Sequence, residues 1–180
     1  DREHSKISDL GNILVLVEMD RDRVSDLSLD MLGCALHLAG KNDKGDVIAV
    51  VFGLGFGTLG EYLISFGANK VILFEDKLCL PYQADAWLPD MAVIAKETKA
   101  SLILMGHNST GGDLAPRLAF QLKCGIATSC EKIIIEGAKT FLTRTCYGGK
   151  AREVLSFDNE VAIATIRPKS QTPITRDIER

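Results

Sequence analysis

The stretch Leu102–Leu122, LILMGHNSTGGDLAPRLAFQL, contains the pattern that decides the fold. Its apolar run Leu102–Met105 ends in a glycine, which is typical of a strand buried on both faces of a parallel sheet. A loop of small and polar residues follows, and Asp113 is predicted to cap a helix whose first turn contains Pro116. This helix should end near Lys123. The stretch therefore predicts one strand–loop–helix unit of an α/β domain.

Three similar units precede this stretch. Their strands are predicted at the apolar runs Ile13–Val17, Val47–Phe52 and Val71–Phe74. Strands that alternate with helices require right-handed crossovers, which make the sheet parallel and cover both of its faces. We therefore predict a three-layer, doubly wound α/β domain with a mainly parallel sheet.

The ends of the intervening helices are predicted from local signals. The first helix carries leucines at helical spacing and should stop at Gly40. Thr58 and Glu61 have the spacing of a capping box, which should open the second helix. The third helix spans Gln83–Thr98, and Pro89 must either bend it or begin its main part.

The pattern changes after residue 123 to short extended runs. Four strands are predicted there, at Cys130–Ile135, Thr140–Cys146, Arg152–Phe157 and Val161–Ile166. Asp158-Asn159 is a turn signal between the last two, so we expect antiparallel hairpins that extend the sheet. The domain is then predicted to cover residues 10–168. The polar tail 169–180 lacks periodicity and is predicted to be a linker to a further domain.

Composition and charge exclude several classes of protein. The chain has 180 residues, 46% of them hydrophobic, which is enough for one well-buried domain. The formal net charge is -3 and long blocks of like charge are absent, so nucleic-acid binding is not expected. The longest apolar runs, such as Val47–Phe52, are too short to span a bilayer, so membrane insertion is not expected either. The polar start Asp1–Asp9 is not expected to be a signal peptide. The 5 cysteines are scattered without metal-site spacing, which indicates reduced thiols in an intracellular protein.

A glycine motif follows the second strand. Gly55–Gly60, GFGTLG, fits the GxGxxG fingerprint of dinucleotide-binding domains, and Glu75 lies near the expected distance beyond it. The fingerprint normally follows the first strand of its unit, however, and a capping box already explains this turn. We favour the structural explanation and keep an NAD-dependent oxidoreductase as the alternative function.

The loop of the deciding stretch is a second candidate site. It lies where ligands of parallel sheets usually bind, and its backbone amides can hold a phosphate. Gly111, Gly112 and Asp113 are the candidate cofactor-binding residues. An Asp113 carboxylate would stand where the anion sits, so we favour a capped turn in which Arg117 balances Asp113 one helical turn on.

Catalytic and metal-binding sets are not recognisable in the sequence. The three histidines, His4, His37 and His107, fall in different predicted elements. None of the motifs that place a nucleophile beside a base occurs. We therefore predict no catalytic residue and no metal site.

Three segments resemble the alpha subunit of electron transfer flavoproteins. They are Gly106–Leu122, with its GGDLAPR helix start, Thr143–Ala151, TRTCYGGKA, and Ala164–Pro168, ATIRP. Their order and spacing agree with that family, and the similarity runs from about Ile13 to Pro168. The chain is identified as its amino-terminal domain.

The resemblance implies a division of labour. This domain would be a scaffold with an adenine nucleotide alpha hydrolase-like sheet that pairs with the beta subunit and performs no bond chemistry. FAD would be bound mainly by a domain beyond this segment, with none on this chain alone. The whole carrier would pass electrons from acyl-CoA or other flavin dehydrogenases to a downstream acceptor, in the cytoplasm or the mitochondrial matrix. Arg117, Arg144 and Tyr147 are the interface candidates.

Another alternative remains open beside the oxidoreductase. The chain is also compatible with a stand-alone nucleotide-binding module of the universal-stress type. The sequence after Arg180 in the full gene discriminates, because a flavin-binding domain favours the scaffold and a stop codon favours the module.

Overall fold

The computed structural model describes residues 11–42, 45–136, 139–158 and 160–177. The predictions on His4, on the start Asp1–Asp9 and on Asn159 lie outside these residues. The strands are Asn12–Val17 (β1), Met19–Asp20 (β2), Arg23–Val24 (β3), Val47–Gly53 (β4), Lys70–Glu75 (β5), Ala100–Gly106 (β6), Gly125–Glu136 (β7), Lys139–Cys146 (β8), Ala151–Leu155 (β9) and Ala162–Ile166 (β10). The helices are Asp26–Asn42 (α1), Leu59–Ser65 (α2), Ala84–Glu97 (α3) and Ser109–Leu122 (α4).

One sheet of eight strands runs through the domain in the order β5-β4-β1-β6-β10-β7-β8-β9. Neighbouring strands from β5 to β7 are parallel, and β8 and β9 are added antiparallel. The short strands β2 and β3 form a separate hairpin after β1. This arrangement confirms the predicted mainly parallel α/β fold with antiparallel strands at its end.

Helices cover both faces of the parallel part. Alternate residues of β1 enter different cores, because successive side chains of a strand point to opposite faces. Ile13 and Val15 pack with α1 and α2, whereas Leu14 and Leu16 pack with α3 and α4. The helices change faces between β1 and β6, which makes the carboxyl ends of these two strands the switch point of the sheet.

The predicted antiparallel pairing of the last strand is wrong. β10 lies parallel between β6 and β7, with Ile163 opposite Ile103 on one side and Ile126 on the other. Every residue of β10 is buried, so the strand lacks the polar face that an exposed hairpin strand needs. The antiparallel extension of the sheet therefore consists of β8 and β9 beside the end of β7.

Several predicted helix ends are also wrong. Gly40 does not end α1, which continues to Asn42. Thr58 precedes α2, but its side chain makes no capping hydrogen bond. Its backbone, at φ -89° and ψ 15°, is not extended as a side-chain cap requires. Pro89 lies inside α3 and does not begin it, while the predicted bend at Pro89 stays a prediction.

Asn108, and not Asp113, caps α4. The backbone of Asn108 is extended, and its side-chain oxygen accepts the Gly111 amide at 3.0 Å. The helix thus begins four residues before Asp113, and Pro116 lies in its interior instead of its first turn. The end of the helix at Lys123 is confirmed, where a left-handed residue with φ 54° closes it.

Candidate functional site

A crevice of about 720 Å³ opens beside the switch point, at the carboxyl edge of the sheet. It lies among the β2–β3 hairpin, the loop 53–58 after β4, the segment after β5 and Thr110 of α4. Ligands of doubly wound domains usually bind at this edge, and its size suits a small molecule. By position it is the candidate site of this domain.

Aromatic rings form the floor of the crevice. Trp87, the single tryptophan of the chain, stacks on Phe52 with ring centroids 4.7 Å apart. Tyr82 meets Trp87 edge to face at 5.0 Å. The Trp87 indole N–H donates to the Cys79 carbonyl at 3.0 Å, so the ring is fixed by packing and by its hydrogen bond.

Several polar groups around these rings are paired with one another. Glu18 accepts a hydrogen bond from the Asn108 side chain at 2.9 Å, across the switch point. The Tyr82 hydroxyl donates to Asp113 at 3.0 Å, which joins the segment after β5 to α4. Arg23 at the mouth lies between Asp20 and Asp26, 3.9 and 3.8 Å away. A polar ligand would have to compete with these contacts.

The loop of the glycine motif also contains a hydrogen bond between residues of the domain. Glu75, which would bind the ribose of a dinucleotide, instead accepts the Gly55 amide of the loop itself at 2.8 Å. Gly55 and Gly57 adopt left-handed backbone, with φ 68° and 48°. The glycines are therefore needed for the turn, and the Gly55 amide and the Glu75 carboxylate are already paired with each other.

Gly111, Gly112 and Asp113 all lie in the first turns of α4. A side chain at Gly111 would collide with the Gly106 carbonyl, so glycine lets the helix start close to β6. Gly112 is exposed and has open space around it. The structure thus gives Gly111 a packing role, while cofactor binding by these residues stays a prediction.

Asp113 faces a cation, as expected. Arg117 donates to it at 2.8 Å, one helical turn away, and also approaches Asp85. The hydrogen bonds from Arg117 and Tyr82 lower the pKa of Asp113 below its ordinary value. The Asp113 carboxylate therefore stays negatively charged near the amino-terminus of α4. Its charge would repel a bound anion there.

The other interface candidates lie in the extension. Arg144 of β8 donates to Glu153 of β9 at 2.7 Å and to Thr128 of β7 at 3.2 Å, which ties three strands together. Tyr147 follows β8, is 81% exposed and has φ 51°. Tyr147 is therefore not a core tyrosine. Arg117 lies apart from both, on the outer helix layer.

A polar network that the sequence did not reveal joins β7, β8 and the end of β10. Glu131 accepts hydrogen bonds from Thr145 and Arg167, and both lower the pKa of its carboxyl. Arg167 belongs to the ATIRP segment, which in the sequence indicates only the family resemblance and is the one sequence signal that could have found the network. The network joins the extension to the residue that follows β10.

Two of the thiols, Cys34 and Cys130, pack in apolar surroundings. Burial raises the pKa of Cys34 to about 11 and that of Cys130 to about 12, so both are protonated at neutral pH. Within the described ranges, no three His, Cys, Asp or Glu side chains are grouped to hold a metal ion. No described helix is long and apolar enough to cross a membrane.

These features define the class of the protein: a doubly wound α/β domain of the nucleotide-binding type, with an antiparallel extension of its sheet. The family model described as "Electron transfer flavoprotein domain" matches residues 13–180. The chain belongs to the electron transfer flavoprotein family, and the resemblance found in the sequence is confirmed.

Two of three similar relatives are named as the alpha subunit. The chain is 32% identical over 154 residues to the electron transfer flavoprotein subunit alpha of Syntrophomonas wolfei, covering 86% of this chain and 47% of the relative. It is 27% identical over 168 residues to the same subunit of Bacillus subtilis, covering 93% and 51%. Protein FixB of Rhizobium meliloti is 25% identical over 168 residues, covering 91% and 48%. The chain thus spans about half the length of these relatives.

Proposed function

We propose that the chain is the scaffold domain of an electron transfer flavoprotein alpha subunit, which positions partners and performs no bond chemistry. The observation that carries this proposal is the internal pairing of the crevice. Glu18, Glu75 and Tyr82 each form a hydrogen bond with another residue of the domain. These contacts support a structural role for the crevice.

The proposed docking surface for the beta subunit is the antiparallel extension, β8 to β9 with the turn at Tyr147. β9 is the last strand of the sheet, so one of its edges has no partner strand among the described residues. Such an edge is normally covered. Val154 of β9 is 60% exposed and Tyr147 81%, which adds apolar surface beside the edge.

The proposed whole protein is a heterodimeric carrier that takes electrons from flavin dehydrogenases, such as those of acyl-CoA, and passes them to a downstream acceptor. The names of the relatives support the carrier and its second subunit. The proposed compartment is the cytoplasm or the mitochondrial matrix, since all five cysteines are free thiols.

FAD is proposed to lie mainly outside residues 1–180. Two paired backbone amides support this proposal: the Gly55 amide donates to Glu75 and the Gly111 amide donates to Asn108. Amides that are already paired are less available to an anionic pyrophosphate. No step of electron transfer is therefore assigned to residues of this chain.

The proposal is tested by titrating the purified chain with the beta subunit in a calorimeter. One-to-one binding is expected, and a chain that does not bind the beta subunit overturns the proposal. The nucleotide-binding alternatives are tested in parallel with Trp87, whose fluorescence reports on the crevice. Adding AMP, ATP or NADH should leave the emission unchanged, whereas a saturable change would favour a nucleotide-binding module or a dehydrogenase.

A further inference from the structure

The tail after β10 runs back over the domain. Gln171 donates from its side-chain amide to the Glu131 carbonyl at 2.9 Å, which holds the start of the tail against β7. Six residues later, the Asp177 amide donates to the Ser65 carbonyl at the end of α2, also at 2.9 Å. The segment Gln171–Asp177, here called the strap, thus crosses the layer formed by α1 and α2.

Ile174 is the apolar centre of the strap. A Cβ atom placed on Gly33 of α1 would lie 2.9 Å from the Ile174 Cβ, so Ile174 occupies the space that a side chain at Gly33 would need. Gly67 follows α2 and has φ 106°. A Cβ atom placed on Gly67 would lie 3.5 Å from the Ile174 Cδ1. Ile174 packs against the core cluster of this face. Two glycines therefore form a seat for one isoleucine.

Arg176 adds two polar contacts beyond this seat. Its guanidinium lies 5.5 Å from the centroid of the Tyr62 ring, and its Nε donates to the Ser65 hydroxyl at 3.0 Å. Ser65 is 5% exposed, and its hydroxyl donates in turn to the Tyr62 carbonyl. The strap thus joins a buried hydroxyl at the end of α2.

We propose that the strap is an anchor for the connection between this domain and the rest of the subunit. Relatives are about twice as long as this chain, so a connection has to leave the domain somewhere. Because the strap is held at Gly33 and at Ser65, the connection leaves the surface of the domain at Asp177 and not at Pro168. Any flexible joint begins after the strap, on the α1–α2 side of the sheet.

Hydrogen exchange on the full-length subunit, assembled with the beta subunit, tests the anchor with a matched pair of glycines in α1. Gly33→Ala places a methyl group against Ile174, whereas a Cβ on Gly40 of the same helix meets nothing within 4 Å. Gly33→Ala should speed exchange of the Asp177 amide by about tenfold or more, since a segment that loses its seat opens locally. Gly40→Ala should leave this amide at the wild-type rate.

Ile174→Ala is a second variant that leaves α1 intact and keeps the test valid if Gly33→Ala folds poorly. It should speed exchange of the Asp177 amide while the strands of the core keep their protection. The anchor is overturned if both variants leave the Asp177 amide at the wild-type rate. It is equally overturned if that amide exchanges in the wild type as fast as in an unstructured peptide.

Discussion

Gly57 in the loop after β4 has left-handed backbone, with φ 48°, and a Cβ atom at this position would meet nothing within 4 Å. Gly57→Ala should therefore lower the free energy of unfolding by about 1 kcal/mol through backbone strain alone. Urea unfolding measures the change. Gly40→Ala, in the exposed last turn of α1, is the control and should stabilise by up to about 1 kcal/mol.

Asn108 provides the second test at this scale. Its side chain caps α4 and also donates to Glu18, so Asn108→Ala should cost about 1 kcal/mol or more. Asn108→Ser retains a capping oxygen and should recover part of the loss. Thermal unfolding of both variants checks the assignment, and an unchanged stability in Asn108→Ala would show that the cap contributes nothing.

Asp113 should make stability depend on pH. Arg117 and Tyr82 hold its folded pKa below the ordinary value of 3.8. The contribution is therefore complete above the unfolded pKa and is lost as the pH falls through the folded pKa. Wild type should exceed Asp113→Asn in stability at neutral pH, and the gap should shrink in acid. A gap that is constant with pH would contradict this account.

The choice between Asn108 and Asp113 shows what residue patterns can predict. Both residue types are good caps, and each stands before an apolar helical pattern. The sequence predicts the helix and the Asp113–Arg117 pair, since that pair depends only on spacing. It cannot predict the cap, because the cap depends on which residue keeps extended backbone after β6.

Among the elements, the turn between β8 and β9 gives the sharpest test of the proposed interface. Tyr147 has left-handed backbone and is exposed, so Tyr147→Gly removes the ring and relieves the backbone strain together. The free energy of unfolding of the variant should lie within about 1 kcal/mol of the wild-type value. Its affinity for the beta subunit should nevertheless be lower. Calorimetric titration with the beta subunit measures the affinity.

Phe120→Ala is the matched control for this experiment. Phe120 is an aromatic residue of α4 that is 89% exposed, on the helix layer instead of the extension. Its removal should leave the affinity unchanged. The interface proposal fails if Tyr147→Gly binds as wild type does, or if Phe120→Ala weakens binding to the same extent.

The strands are largely predictable from the sequence, but their pairing is not. Continuous apolar runs such as Val47–Phe52 identify buried strands, because helices on both faces leave no polar side. The same rule applied to Val161–Ile166 would indicate an interior strand. The Asp-Asn turn signal before it favours a hairpin instead. Local turn chemistry cannot show that the chain returns to the middle of the sheet and places this strand between β6 and β7.

At the scale of the whole molecule, the sequence predicts the family and the architecture but not how the domain closes on itself. The tail 169–180 lacks periodicity, which is typical of a linker. Ile174 and Arg176 nevertheless pack on α1 and α2. One isoleucine between two glycines leaves no periodic signal, and pairs such as Glu18 with Asn108 join residues far apart in sequence.

The central claim is that this domain serves the electron carrier by assembly and does not itself hold FAD. It is tested most directly by gel filtration of the isolated chain after incubation with excess FAD, with flavin absorbance recorded across the protein peak. The account predicts a colourless protein peak, with all flavin eluting as the free cofactor. Stoichiometric FAD that stays with the chain through the column would contradict it.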